Sequence, residues 1–392
     1  MSLSTLPLGY CTNVHPGRSV ADVLAGLDRY TVPVMNAIGR PVAAGLWLAR
    51  PVVDELLAMP EGVARFAEAL ASRNLSCYTL NAFPYGDFHA ARVKENVYLP
   101  DWSQSERYTY TAECAAVLAA LLPEGTDGSI STLPLGFKGL KGDPFFHHEC
   151  IRNLVECAIW LHRVWETTGR VVRLAIEPEP FCMLEATAEA VAFFERLWKA
   201  AGQGEELVRK HVGLCYDVCH QAVEFEDITD SVRSLDRAGV RINKVQISCA
   251  VQLDKPFANR AGLEALRHYV EPRYLHQTFA RRSDGTVSRA VDLTESLIDS
   301  PPSEFADAEH WRVHFHVPVD AETLGPLGTT KPAVAEALAA IAKLDYAPHL
   351  EVETYTWDVL PGAAATDLVA GLSRELQATE YLIEQKRFPL RD

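Results

Sequence analysis

This 392-residue sequence predicts an α/β fold, a (β/α)8 TIM barrel, and three observations predict it. Eight short β-prone runs recur along the chain. Segments with helical periodicity separate them, the pattern that builds parallel sheets from βα units. Three of the runs end on a carboxylate, at Glu177, Asp217 and Glu353, as expected where the C-terminal ends of barrel strands share one centre.

In order, the strand candidates are LGYCTN from 8, AAGLWL from 43, SCYTLNAF from 76, SISTLP from 129, VRLAIEPEP from 172, VGLCYDV from 212, NKVQISCA from 243 and HLEVETYTW from 349. Between the second and third, Val63, Phe66, Ala67 and Leu70 recur on one helical face. Between the fourth and fifth, Leu154, Ala158, Leu161 and Val164 do the same. The whole chain, 1–392, reads as one barrel domain. An excursion over 253–310, near the barrel mouth, interrupts it before the last strand: QTFARRSDGTVSRAVDL holds a hairpin turn at Ser-Asp-Gly, and DSPPSEF reads as a loop. A ninth β-prone run, WRVHFHVPV from 311, is either an extra strand across the mouth or the true seventh strand. The helix PAVAEALAAIAKL follows it.

The composition bounds the partners. A hydrophobic content of 48% supports a large core, and the net charge of −15, from 37 basic against 52 acidic residues, repels phosphate backbones. A small-molecule metabolite is therefore the expected partner, and nucleic acid is not. Nine cysteines, odd in number and scattered through apolar stretches, read as reduced thiols rather than a disulfide framework. No signal segment and no membrane-length apolar run is visible, so the expected location is the cytoplasm without membrane insertion. Nothing in the sequence indicates an oligomeric state.

Three carboxylates aimed at one axis repel one another unless a divalent cation neutralises them. Oxygen donors with one or two imidazoles suit Mn²⁺, Mg²⁺, Zn²⁺ or Fe²⁺. Gln246 takes the corresponding place on the seventh strand, and His220, His276, His314 and His316 are the imidazoles on offer. His314 and His316 alternate on one strand and so face one side. Plainer readings compete. Glu177 and Glu179 lie between prolines, as in a solvated loop; Asp217 suits the N-cap of a following helix; His314 suits a core histidine bonded to carbonyls; Cys215 and Cys219 suit small buried hydrophobes. The glycines of LGFKGLKGD, 135–143, lack the order of a P-loop, which leaves Lys138 or Lys141 as a seat for a substrate anion or as a surface turn.

The segments YCTNVHPG (10–17), AIEPEP (175–180), LCYDVCH (214–220), HFHVPV (314–319) and EVETYTW (351–357) resemble the EboE family of metabolite traffic proteins, within the xylose isomerase-like TIM-barrel superfamily. The resemblance spans nearly the whole chain. It implies a metal-dependent sugar isomerase or epimerase type of barrel, working on a small hydroxy-carbonyl metabolite within a gene cluster that supplies partner proteins. It further implies a divalent metal held by Glu177, Asp217 with His220, and Glu353. The histidine expected on the next strand is replaced by Gln246, so His316 or His276 takes its place or oxygen atoms alone suffice.

On this reading Glu177 and Glu353 exchange a carbon-bound proton through an enediolate, and His220 holds a substrate oxygen. Asn13, His15 and Asn81 line the pocket. A barrel that carries an aromatic metabolite without chemistry is the rival, with Phe83, Tyr85, Phe181, Tyr355 and Trp357 as its lining. A metal-dependent phosphoesterase is a third class, against which the net charge speaks.

Overall fold

Seven strands follow one another around an axis: β1 (Gly9–Cys11), β2 (Ala43–Trp47), β3 (Thr79–Asn81), β4 (Gly128–Thr132), β5 (Val172–Ile176), β6 (Val212–Asp217) and β7 (Ile242–Ile247). In this computed structural model, which describes residues 3–140, 144–362 and 367–387, the chain then leaves the barrel. It makes β8 (Cys249–Asp254), β9 (Thr278–Arg281), β10 (Val287–Ala290), β11 (His310–Val317), β12 (Thr323–Leu324) and β13 (Leu327–Thr329) before returning as β14 (His349–Val352).

β14 closes the barrel between β7 and β1, and every neighbouring pair is parallel. Such strands are covered on both faces, and VRLAI and VGLCY run correspondingly apolar, whereas INKVQI and HLEV set buried polar residues among the apolar ones. Each of the eight runs read as barrel strands contributes one strand to this ring. Helices cover its outside. One of them, Phe146–Thr168, stops where Gly169 takes a left-handed conformation at φ +71 that frees the chain to turn.

A second, antiparallel sheet, ordered β10-β9-β11-β8-β13-β12, lies across the C-terminal ends of the barrel strands. Between the two readings of the ninth run, the structure places it as β11 of this sheet, not as a barrel strand. NKVQISCA is likewise two strands rather than one. The break falls at Ser248, whose hydroxyl donates to Asp217 Oδ1 (2.8 Å) and accepts from the Cys219 amide (3.0 Å). β9 and β10 form the hairpin expected at Ser-Asp-Gly, with Gly285 at φ +86 supplying the turn. DSPPSEF, read as loop, runs at its end into a helical turn at Ser303–Ala306.

Inside the barrel, below the strand ends, Lys244 and Glu351 form an ion pair at 2.7 Å with neither side chain exposed. Lys244 Nζ also lies 3.3 Å from Ser131 Oγ and 3.5 Å from Leu80 O. Burial opposes the lysine's charge, but Glu351, with Cys215 and Cys11, lifts its pKa above the ordinary value. Gly45 makes room for the carboxylate: a Cβ there would stand 1.6 Å from Glu351 Oε1.

The C-terminal helix Leu368–Arg387 is tied to the barrel by Glu375, which is buried and accepts from Val319 N (3.0 Å), Thr354 Oγ1 (2.6 Å) and Trp357 Nε1 (2.8 Å). Burial raises its pKa to about 7 despite these donors. The folded chain therefore keeps this proton to higher pH than the unfolded chain, whose glutamate releases it near the ordinary value. Stability from this group falls as pH rises from about 4.5 through 7, by on the order of 3 kcal/mol. Urea unfolding of the wild type and Glu375→Gln at pH 5 and pH 8 checks this: the wild type's margin over the variant shrinks at the higher pH. An unchanged margin would refute the assignment.

Candidate metal centre

The ends of β5, β6 and β14 bring Glu177, Asp217 and Glu353 together, with one carboxylate oxygen of each within 4.8 Å of the others and all three side chains buried. Glu353 follows β14 directly. Its Oε1 accepts from Asn13 Nδ2 and Asn81 Nδ2, both at 2.8 Å. The Phe83 amide donates to Asn81 Oδ1 (2.9 Å), which fixes that amide with its NH₂ toward the glutamate. Asp217 ends β6 and caps the helix Val218–Val223: its Oδ1 accepts from His220 N (3.0 Å) and from Ser248 Oγ. Asp217 Oδ2 and Glu177 Oε2 are buried and bonded to no protein group.

A buried carboxylate oxygen without a donor is costly. Here two of them face a third carboxylate. Burial, with Glu353 and Asp217 close by, raises the Glu177 pKa well above its usual value; burial, with Asp217 and Glu351, does the same for Glu353. Both orphaned oxygens and the shared direction of the charge fit a divalent cation, which would satisfy the acceptors and let the acids ionise. Glu177, Asp217 and Glu353 are the residues that would hold it.

The second sheet adds imidazoles. β11 presents His314 and His316 to the barrel mouth, where His314 Nε2 lies 3.0 Å from His220 Nε2 and 3.3 Å from His316 Nε2. His316 Nε2 is 3.9 Å from Asp217 Oδ2. Burial lowers the His316 pKa to about 4, with Asp217 pulling the other way, and holds His314 well below the usual value together with His220 and His316. Glu179 sits beside them, accepting from Tyr98 Oη at 2.7 Å, and burial raises its pKa. Glu179 and Cys219 thus join the site although the sequence reading had not selected them, and with them comes His314, which that reading offered both as an imidazole and as a core histidine. The alternation of His314 with His316 was the available signal.

Other selected residues go elsewhere. Gln246 pairs in register with Asp217 on the neighbouring strand, but its Oε1 accepts from the Cys215 thiol (3.3 Å) and its Nε2 is buried without a partner. His276 is turned away from the carboxylates: its Nδ1 meets His314 O (2.9 Å) and its Nε2 meets Glu271 Oε1 (2.7 Å), so neither nitrogen is left for a metal. His15 packs on Tyr30 and meets Tyr10 Oη at 3.2 Å, lining a separate small cavity. Lys138 pairs with Glu185, outside the pocket lining, and Lys141 lies outside the described residues. Tyr355 does line the pocket, its ring 4.7 Å from that of His316.

Above the polar floor, Phe83, Phe88, Val97, Tyr98, Tyr274 and Tyr355 wall the cavity. The loop after β3 is pinned over it: Val93 N and Lys94 N donate to Arg273 O (2.8 Å each), and Lys94 Nζ pairs with Asp292 at 2.6 Å. Among the described residues no helix is long and apolar enough to cross a membrane. All nine cysteines are free and buried.

No family model and no curated protein matches the chain. Among solved structures it is similar to the IolI protein with a bound zinc atom, at 13% identity over 98% of this chain and 100% of that one, with a TM-score of 0.48. It is similar to a D-tagatose 3-epimerase-like protein at 11% identity over 98% and 100%, also with a TM-score of 0.48. A third, 3-keto-D-glucoside 4-epimerase YcjR from E. coli, aligns at 14% identity over 62% of this chain and 78% of that one, with a TM-score of 0.37. At these identities and TM-scores the likenesses add nothing to what the strand order shows directly, a closed eight-stranded parallel barrel.

Proposed function

We propose that the protein is a metal-dependent isomerase or epimerase of a small hydroxy-carbonyl metabolite. The observation that carries this is the convergence of Glu177, Asp217 and Glu353 with Glu177 Oε2 and Asp217 Oδ2 left without donors. A divalent cation bound there would supply electrophilic stabilisation of the charge that develops on the substrate's carbonyl oxygen. Glu177 and Glu353 reach the reacting carbon from different strands, one taking its proton and the other returning one. Asn13 and Asn81 hold Glu353 Oε1, which leaves Oε2 as the atom that carries the proton. His220 is anchored through Nδ1 on Pro178 O (2.9 Å), so that its other nitrogen faces the pocket. The aromatic wall lines the pocket above these groups.

Membership of the EboE family, partner proteins from one gene cluster and a cytoplasmic location belong to this proposal. The motifs and the free thiols support them. A second reading, carriage of an aromatic metabolite without chemistry, is favoured by the same apolar wall.

Protein incubated in D₂O with a panel of ketoses and keto-sugars tests the reading. Metal-dependent incorporation of deuterium at the carbon next to a carbonyl is the expected result. Tight binding of an aromatic metabolite with no exchange on any of the panel would favour carriage.

A further inference from the structure

We infer that His220, His314 and His316 hold a metal ion of their own, beside the carboxylate position, so that the pocket takes two ions with Asp217 between them. The inference does not depend on which reaction the pocket runs.

The starting point is where the ring protons must be. His220 Nδ1 faces Pro178 O at 2.9 Å, His316 Nδ1 faces Glu353 O at 2.8 Å, and His314 Nδ1 faces Gln277 Oε1 at 2.7 Å. The Gln277 amide is oriented by its Nε2, which reaches Tyr98 Oη (3.0 Å) and Pro180 O (3.3 Å). Each Nδ1 therefore meets an oxygen acceptor and carries the hydrogen. In a neutral imidazole the other nitrogen, Nε2, is then a bare lone pair.

Those lone pairs point at one another, 3.0 Å apart for His220 and His314 and 3.3 Å for His314 and His316, in a buried place. Facing lone pairs repel unless a cation lies between them. Imidazoles whose second nitrogen is bonded to a carbonyl or similar acceptor are the usual ligands of protein-bound metals. The spacing agrees: nitrogens bonded to one ion at 2.0–2.1 Å stand about 2.9–3.4 Å apart for bond angles between a right angle and the tetrahedral one.

A second, independent observation points to the same place. Asp217 Oδ2, buried and bonded to no protein group, lies 3.9 Å from His316 Nε2. Asp217 belongs to the group with His220 and His316 as well as to the group with Glu177 and Glu353, and so sits between the two positions. The donor sets differ in kind. Three neutral imidazoles select Zn²⁺, Co²⁺, Ni²⁺ or Fe²⁺, whereas carboxylates suit Mn²⁺ and Mg²⁺.

The test uses full-length protein stripped with a chelator and reloaded with Co²⁺ or Zn²⁺, with Mn²⁺ as competitor. Two ions per chain are expected, and X-ray absorption of the wild type loaded with one equivalent of Zn²⁺ should show three imidazole nitrogens. His314→Ala/His316→Ala should lose one ion and the Co²⁺ absorption bands while retaining the second ion; Glu177→Gln/Glu353→Gln should do the reverse. The absorption measurement needs no variant, so a misfolded one does not decide the matter. An all-oxygen zinc shell, or a histidine double variant that is folded and binds as the wild type does, overturns the inference. Binding of no ion at all overturns it too and leaves a proton shared between the rings. Zinc on the imidazoles with nothing at the carboxylates upholds this inference and sinks the proposed isomerase site.

Discussion

Glu353→Gln is expected to lower turnover by roughly 10³-fold or more while leaving the fold intact, because it removes a proton-transfer group and one charged donor to the cation without changing the side chain's length. The substituted side chain has the same length and keeps an oxygen for the two donors, Asn13 Nδ2 and Asn81 Nδ2. The amide cannot take up a proton from carbon. It also removes one of three buried acids that repel one another, so the unfolding midpoint should hold or rise. Deuterium exchange, turnover and metal content measured together separate the possibilities. Turnover within tenfold of the wild type would end the proton-transfer account. Loss of the metal along with turnover would mark Glu353 as a ligand first, and Glu177→Gln would then report on the proton.

The second large effect lies below the site. Lys244→Met is expected to destabilise the fold by about 3–5 kcal/mol, the usual consequence of removing one partner from a buried ion pair. Its origin is Glu351, left in the barrel interior with a carboxylate and no cation. Lys244→Met/Glu351→Leu should recover most of the loss, since an apolar pair of similar volume replaces both charges. Urea unfolding of the three proteins checks this. A single variant as stable as the wild type would show that the pair contributes nothing.

The ring was legible because parallel barrel strands are apolar on both faces: runs such as VRLAI and VGLCY announce themselves without any tertiary knowledge. The carboxylates were legible for a related reason. An acid that ends an apolar run has few places to go but the barrel mouth, and Glu177, Asp217 and Glu353 all went there. Asp217 answers both readings made of it, since one oxygen caps a helix and the other stands free.

What sequence could not supply was the partner of each polar atom. His15 and His276 have the right chemistry and the wrong neighbours: Tyr10 and Tyr30 engage one, Glu271 and a carbonyl the other. Lys244 looks in the sequence like any charge in a strand, and only closure of the ring sets it opposite Glu351 where Gly45 leaves space. The ring of strands and the acids at their ends were determined by local pattern, because burial on two faces leaves its mark residue by residue. The second sheet over the mouth, and with it the meeting of His314 and His316 with His220 some 94 residues earlier, was decided by tertiary structure alone, because which nitrogen faces which depends on contacts that no local pattern encodes.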